Sequence, residues 1–109
     1  FSVFAFAMGV PAQDVEVAGA LMGKKMVVNE FVAYLDMVHL KETLDPKTIA
    51  ITSFALCGFA NFSSVAIQIG GIGELAPSRR SDLAKLGFKA LIAGTLASYL
   101  SATLAGLLL

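Results

Sequence analysis

Charged residues in this chain gather in short clusters, and long apolar stretches lie between them. Ile49 through Gly73, 25 residues, carries no charge, and neither does Ala90 through Leu109. A membrane-spanning helix needs about 20 mostly apolar residues, so both runs are long enough to cross. The first is no simple anchor, because Gly58, Asn61, Ser63 and Ser64 sit halfway along it. Polar groups at that depth are costly unless they face a partner, a cavity or a solute. The pattern predicts a broken transmembrane helix over residues 46–75, interrupted near the bilayer centre in order to bind something.

Upstream the apolar pattern is shorter and more often interrupted. Residues 1–9 read as the end of an interfacial or membrane helix, which Gly9-Val10-Pro11 breaks. Gln13 or Asp14 offers an N-cap for the next helix, with Asp14 and Glu16 in its first turn. Asn29-Glu30 then divides the apolar segment into Val15–Val28 and Phe31–Leu40. Neither piece alone reaches about 20 residues, the crossing length. Two short apolar helices meeting at a polar tip describe a re-entrant hairpin over 10–40, with its tip at 29–30. A soluble amphipathic helix with a surface Glu is the plain alternative. Against it, Val27, Val28, Phe31 and Val32 leave Glu30 no broad polar face.

The connection His39–Lys47 is polar, and Pro46 suits the first position of the helix that follows. Gly70-Gly71-Ile72-Gly73 and Pro77 are expected to end the broken helix. Arg79, Arg80, Lys85 and Lys89 come next against only Glu74 and Asp82, an excess that marks a cytoplasmic loop. Ser81 or Asp82 is the expected cap of a final transmembrane helix over 81–109. That helix carries small residues every fourth position, Gly94, Ser98, Ala102 and Gly106, beside a second row of Ala93, Ala97, Ser101 and Ala105. Such rows let helix backbones approach closely in lipid. The expected path is a hairpin entered from outside, a broken helix running inward, a basic loop inside and a last helix running outward.

Composition agrees with a membrane chain. Hydrophobic residues make up 57% and charged residues 15% of the sequence, against about 45–50% and about 25% in ordinary soluble domains. Mean hydropathy is +0.79. The formal net charge is zero, so nothing points to a nucleic-acid partner. Cys57 is the single cysteine, which excludes an internal disulfide and a multi-thiolate metal site. The chain opens at Phe1 inside an apolar stretch and reads as the C-terminal part of a larger protein. Gly71-Ile72-Gly73-Glu74-Leu75-Ala76 fits the G-x-G-x-x-A dinucleotide pattern. That fingerprint requires a preceding strand, a following helix and an acidic residue about 20 positions on. Here Pro77 intervenes and position 93 is Ala, so the run is a helix end and turn.

Asn29-Glu30-Phe31-Val32-Ala33-Tyr34, the run from Ala55 to Ser64 (ALCGFANFSS) and Ala76-Pro77-Ser78-Arg79-Arg80 together resemble the concentrative nucleoside transporters. The closing Ser101–Gly106 is similar to their last helix. The resemblance covers nearly the whole chain, with its motifs in order. It implies an all-α integral membrane fold forming the second inverted repeat of a transporter. It further implies a homotrimer that imports nucleosides on a sodium or proton gradient. On the matching positions, Glu30, Asn61 and Ser64 would bind the ribose hydroxyls, and Phe59 would line the pocket. The family's base-contacting residues and cation ligands lie in its first repeat, and no second motif of that kind is found here. The fragment is therefore expected to hold the sugar half of the site and no metal or cofactor of its own. The partners implied are a nucleoside, the lipid bilayer and the N-terminal repeat. The motif spellings resemble bacterial members, which implies a multi-pass protein of a bacterial inner membrane.

The chemistry of these residues suits that role. Two vicinal ribose hydroxyls each donate and accept. An ionised Glu accepts from both, while a carboxamide supplies one acceptor and two donors. Ser64, three positions after Asn61, shares its helical face. A salt bridge at the hairpin tip is the plain reading of Glu30, and interhelical hydrogen bonding, worth about 0.6 kcal/mol on average, that of Asn61 and Ser64. Their coincidence with the two breaks favours ligand contact. Phe59 suits packing equally well. Ser63 and Asn29 are expected to support the backbone at the breaks, Cys57 to be a small buried hydrophobe, and His39 to be solvated. Lys24, Lys25 and Asp36 are expected to snorkel or pair along the hairpin. No covalent chemistry is indicated, so the chain reads as a carrier and not an enzyme. A non-transporting membrane receptor or assembly subunit is the rival reading.

Overall fold

A computed structural model describes all of residues 1–109. Six α-helices follow one another: α1 (Ser2–Ala7), α2 (Val15–Val27), α3 (Glu30–Leu40), α4 (Pro46–Leu56), α5 (Phe62–Leu75) and α6 (Arg80–Leu108). Short 3-10 turns at Ala12–Asp14 and Pro77–Arg79 complete the order, and there is no strand. A dinucleotide-binding enzyme, which needs one before its glycine run, is thereby set aside.

Helix α6 is the spine. Its 29 residues make it about 43 Å long at 1.5 Å per residue, and the molecule measures 49 × 25 × 19 Å. Pro77–Leu108 is long and apolar enough to cross a membrane. Helices α4 and α5 run antiparallel to it in one continuous register. A methyl group placed on Gly106 would meet Ile51 at 2.9 Å, one on Gly94 would meet Ala60 at 3.1 Å, and one on Gly87 would meet Val65 at 2.9 Å. Between these, Ser98 Oγ donates to the Cys57 carbonyl at 2.8 Å. The small-residue row Gly94–Ser98–Ala102–Gly106 is thus the seam against α4 and α5. The second row behaves differently: Ala93, Ala97 and Ser101 face outward.

The uncharged run Ile49–Gly73 is divided between α4 and α5 at residues 57–61. Gly58 turns the chain with φ +124°, a conformation that residues bearing a Cβ rarely adopt. The glycine run 70–73 does not end α5, which continues to Leu75. Pro77 alone stops it, since the residue before a proline is forced out of helical geometry, and Ala76 sits at φ −140°, ψ 71°. Pro46 occupies the start of α4 as its type suggests.

Helices α2 and α3 are joined by two residues and lie side by side, with Lys24 of one paired to Asp36 of the other. Both pack on α4, where Ala18, Leu21, Met22, Ala33, Met37, Ile51, Ala55 and Leu56 form the core. Asp14 corrects an expectation. It precedes α2 but makes no capping bond there. Its carboxylate turns inward instead and accepts from the Asp45 backbone N–H at 3.0 Å and the Thr48 hydroxyl at 2.6 Å. The start of α4 draws it in because two orphan donors there outbid one cap. The final helix likewise has no side-chain cap: it begins at Arg80, and Asp82 pairs with Arg79 at 2.6 Å. Cys57 is exposed rather than buried, because it lies in the break and not within α4.

Only 24 of 109 residues are buried. Val3, Phe59, Ile67, Leu75 and Leu107 are among many large apolar side chains left open, far beyond what a water-soluble monomer leaves exposed.

Replacing Asp14 by Ala leaves the Asp45 N–H and the Thr48 hydroxyl without partners, each costing about 1–3 kcal/mol. Thermal denaturation of the full-length protein should show a clearly lowered midpoint. An unchanged midpoint would mean the Asp14 carboxylate does not join these elements.

Candidate functional site

Two places in the fold restart a helix inside apolar sequence, and both use the same device. Asn29 is extended at φ −171°, ψ 170°, and its side chain accepts from the Val32 N–H at 2.9 Å. Asn61 is extended at φ −151°, ψ 170°, and accepts from the Ser64 N–H at 2.8 Å. Asn is among the strongest N-caps because its short carbonyl reaches the orphan N–H groups of the first turn.

The two restarts touch. Asn61 Nδ2 donates to Glu30 Oε2 at 3.0 Å, joining the first residue of α3 to the cap of α5 across 31 positions of sequence. Ser63 Oγ reaches the Val28 carbonyl at 3.5 Å, a long contact across the same junction. The opened carbonyl end of α4 is also supplied. Tyr34 of α3 donates its hydroxyl to the Ser53 carbonyl at 2.7 Å, and Ser98 of α6 serves Cys57. Carbonyls freed by the break therefore find side-chain partners from two neighbouring helices, as a low-dielectric setting demands.

Asn61 is buried at 2% exposure, and Glu30 is half-buried. Beside them a groove of about 330 Å³ lies between α5 and α6, lined by Phe59, Asn61, Ser64, Gln68, Gly87 and Leu91. The structure thus gathers three of the four residues singled out from sequence along one groove. The fourth, Glu30, is off its wall and joins it through the hydrogen bond to Asn61.

A model of the "Na+ dependent nucleoside transporter C-terminus" matches residues 1–106. The chain belongs to the concentrative nucleoside transporter family. It is 57% identical over 108 residues to the transporter YutK of Bacillus subtilis, covering 98% of this chain and 26% of that protein. It is 45% identical over 108 residues to the nucleoside permease NupC of Helicobacter pylori, covering 94% of this chain and 26% of that one. The transporter CNTnw, solved in an inward-facing substrate-bound state, superposes with a TM-score of 0.90 at 48% identity, over 98% of this chain and 27% of that chain. The chain therefore spans about a quarter of the length of these relatives. They are transporters and permeases, not enzymes.

Within this nucleoside-transporter chain the hydrogen-bond accounting refines what the residue types suggest. The carboxamide of Asn61 has one acceptor and two donors. Its oxygen is taken by the helix cap and one N–H by Glu30, so a single N–H remains. Glu30 keeps Oε1 and further lone pairs. Ser64 gives its backbone N–H to the cap, while its side chain lines the groove. Phe59 stands 76% exposed on the linker, at the groove's edge and outside the core. Gln68 was not singled out from sequence. Its signal is nonetheless visible, a polar residue seven positions after Asn61 and so on the same face of an otherwise apolar helix.

An Asn61→Asp change keeps the capping oxygen but replaces the donor to Glu30 with a second carboxylate. The thermal midpoint of the full-length protein should fall through like-charge repulsion. Adding Glu30→Gln should recover most of the loss, because a donor again faces an acceptor. A double variant no more stable than Asn61→Asp alone would show that these side chains are not coupled.

Proposed function

We propose that this chain is the sugar-binding half of a cation-coupled nucleoside symporter. The observation that carries the proposal is the 3.0 Å bond between Asn61 and Glu30. It brings a carboxylate and a carboxamide together where two helices restart, beside the groove of about 330 Å³. In this reading the ribose donates its hydroxyl protons to free Glu30 lone pairs and accepts from the one remaining Asn61 N–H. Ser64 adds a hydroxyl from the next turn, and Phe59 closes over the solute as an apolar wall. Bonds to an ionised acceptor are worth about 1.5–3 kcal/mol net. They hold the solute firmly enough to select it and weakly enough to release it.

The complete protein supplies the rest: an N-terminal repeat that contacts the base and holds the coupling ion, sodium or proton, as cargo. Helices α2 and α3 form a re-entrant hairpin, α4 and α5 the broken helix of the second inverted repeat, and α6 the final membrane crossing. Three copies assemble as a homotrimer, multi-pass in a bacterial inner membrane. Rocking of hairpin and broken helix as one body exposes the same site to each side in turn, as inverted-repeat transporters do.

Full-length protein reconstituted in proteoliposomes should accumulate radiolabelled nucleoside, driven by an inward sodium or proton gradient. Deoxynucleosides lacking one ribose hydroxyl should compete more weakly by roughly fivefold to a hundredfold, the cost of one unpaired buried polar group. Uptake that ignores both gradients, or equal competition by ribose and deoxyribose forms, would defeat this reading.

A further inference from the structure

Helix α5 carries a single polar side chain between Ser64 and Glu74, that of Gln68. Its neighbours at 65–67 and 69–73 are Val, Ala, Ile and Gly, which suit a helix packed in lipid or against apolar protein. A carboxamide in such surroundings is costly unless something polar meets it. Within the chain nothing does. Gln68 takes part in none of the side-chain hydrogen bonds that hold the two breaks together. Across the groove of about 330 Å³ the α6 wall presents Gly87, Ala90 and Leu91, none with a side-chain donor or acceptor. The Gln68 side chain is exposed, so its two donors and its acceptor are open to whatever occupies the groove.

Its place along the groove is specific. Asn61, Ser64 and Gln68 follow at spacings of three and four residues and form one polar rail on one face of α5. At 1.5 Å per residue, Gln68 lies about 6 Å further along the helix axis than Ser64 and about 10 Å beyond Asn61. The facing wall is apolar, and Gly87 brings it close: a methyl there would meet Val65 at 2.9 Å. Beyond α5, residues 76–89 carry Arg79, Arg80, Lys85 and Lys89 against Asp82 alone, which marks that end as cytoplasmic. The rail therefore starts at the junction of the two breaks and runs toward the cell interior, with Gln68 as its last member.

We propose that Gln68 is a transit contact for the solute, a second polar station between the ribose-binding groups and the cytoplasm. This rests on the nucleoside reading above and adds to it a route along the α5–α6 groove. A hydroxylated solute leaving Glu30 and Asn61 gives up charge-assisted bonds. One turn beyond Ser64, the Gln68 carboxamide offers it a donor and an acceptor before it reaches water. Selectivity of a pathway depends on the donors and acceptors that line it, and these must hold the solute loosely enough for it to move on. A neutral carboxamide bonds more weakly than the Glu30 carboxylate, so it passes the solute along instead of trapping it.

The test uses Gln68→Leu and Gln68→Asn in the full-length protein. Association and dissociation of radiolabelled nucleoside are timed, and equilibrium affinity is measured beside them. A station on the path lowers the barrier in both directions without changing the bound state. In Gln68→Leu both rates should fall together by about twofold to tenfold, the contribution of one neutral hydrogen bond. Kd should stay within about twofold of the wild type, and Gln68→Asn should recover most of both rates. Unchanged rates, or an affinity loss carried by dissociation alone, would overturn the inference and leave the nucleoside reading intact. Absence of nucleoside binding by the wild type would instead defeat that reading. A second measurement probes the groove itself. Gln68→Cys, with Cys57 and every other cysteine replaced by serine, should react with a bulky membrane-impermeant thiol reagent applied from the cytoplasmic face, and labelling should block uptake. A thiol that stays unlabelled, or labelled protein that transports at the unlabelled rate, would overturn the inference, since the solute then does not pass Gln68.

Discussion

The hydrogen bond from Asn61 to Glu30 is the constraint on which the rest of this structure turns. Two helices are interrupted inside apolar sequence, and each interruption frees backbone groups that lipid cannot solvate. Asparagine caps restart both helices. Because the second cap also reaches the first residue of α3, the two interruptions are held as one junction. Lengthening that contact would separate the α2–α3 pair from the α4–α5 pair at the point where polar groups are concentrated.

Around this junction the packing is arranged to bring backbones close. The small residues of α6 let α4 and α5 lie in continuous antiparallel register along it, from Gly106 against Ile51 to Gly87 against Val65. Such contact lets Ser98 reach into the break and serve Cys57. Tyr34 does the same from α3. The break is therefore a built feature, with its Ser53 and Cys57 carbonyls served by α3 on one side and α6 on another. What remains free, one Asn61 N–H and the outer lone pairs of Glu30, is a donor and an acceptor pair of the kind that vicinal hydroxyls match.

Much of this was legible in the residues. Asn29-Glu30 and Gly58 through Ser64 announced the interruptions because polar and flexible residues in long apolar runs have few other uses. Pro46 and Pro77 marked helix boundaries through their fixed φ and missing N–H. The small-residue row of α6 announced a close helix contact. What could not be read was where side chains turn once tertiary partners exist. Asp14 had the look of a cap, yet the donors at the start of α4, 31 and 34 positions away, claimed it. The glycines at 70–73 signalled a helix end but stayed helical, since no competing partner pulls that backbone away. Lys25 was indistinguishable from Lys24 in sequence; one residue of rotation puts one on the surface and the other in the core. The occupied oxygen of Asn61 was likewise invisible, because a cap and a ligand contact draw on the same residue type.

The most direct measurement is a structure of the full-length protein with a nucleoside bound. The account predicts both ribose hydroxyls within hydrogen-bond distance of the Glu30 carboxylate, with the Asn61 carboxamide still capping α5 and giving its remaining N–H to the sugar. A ribose bound away from both side chains, or a bound state in which Glu30 and Asn61 have parted, would contradict it.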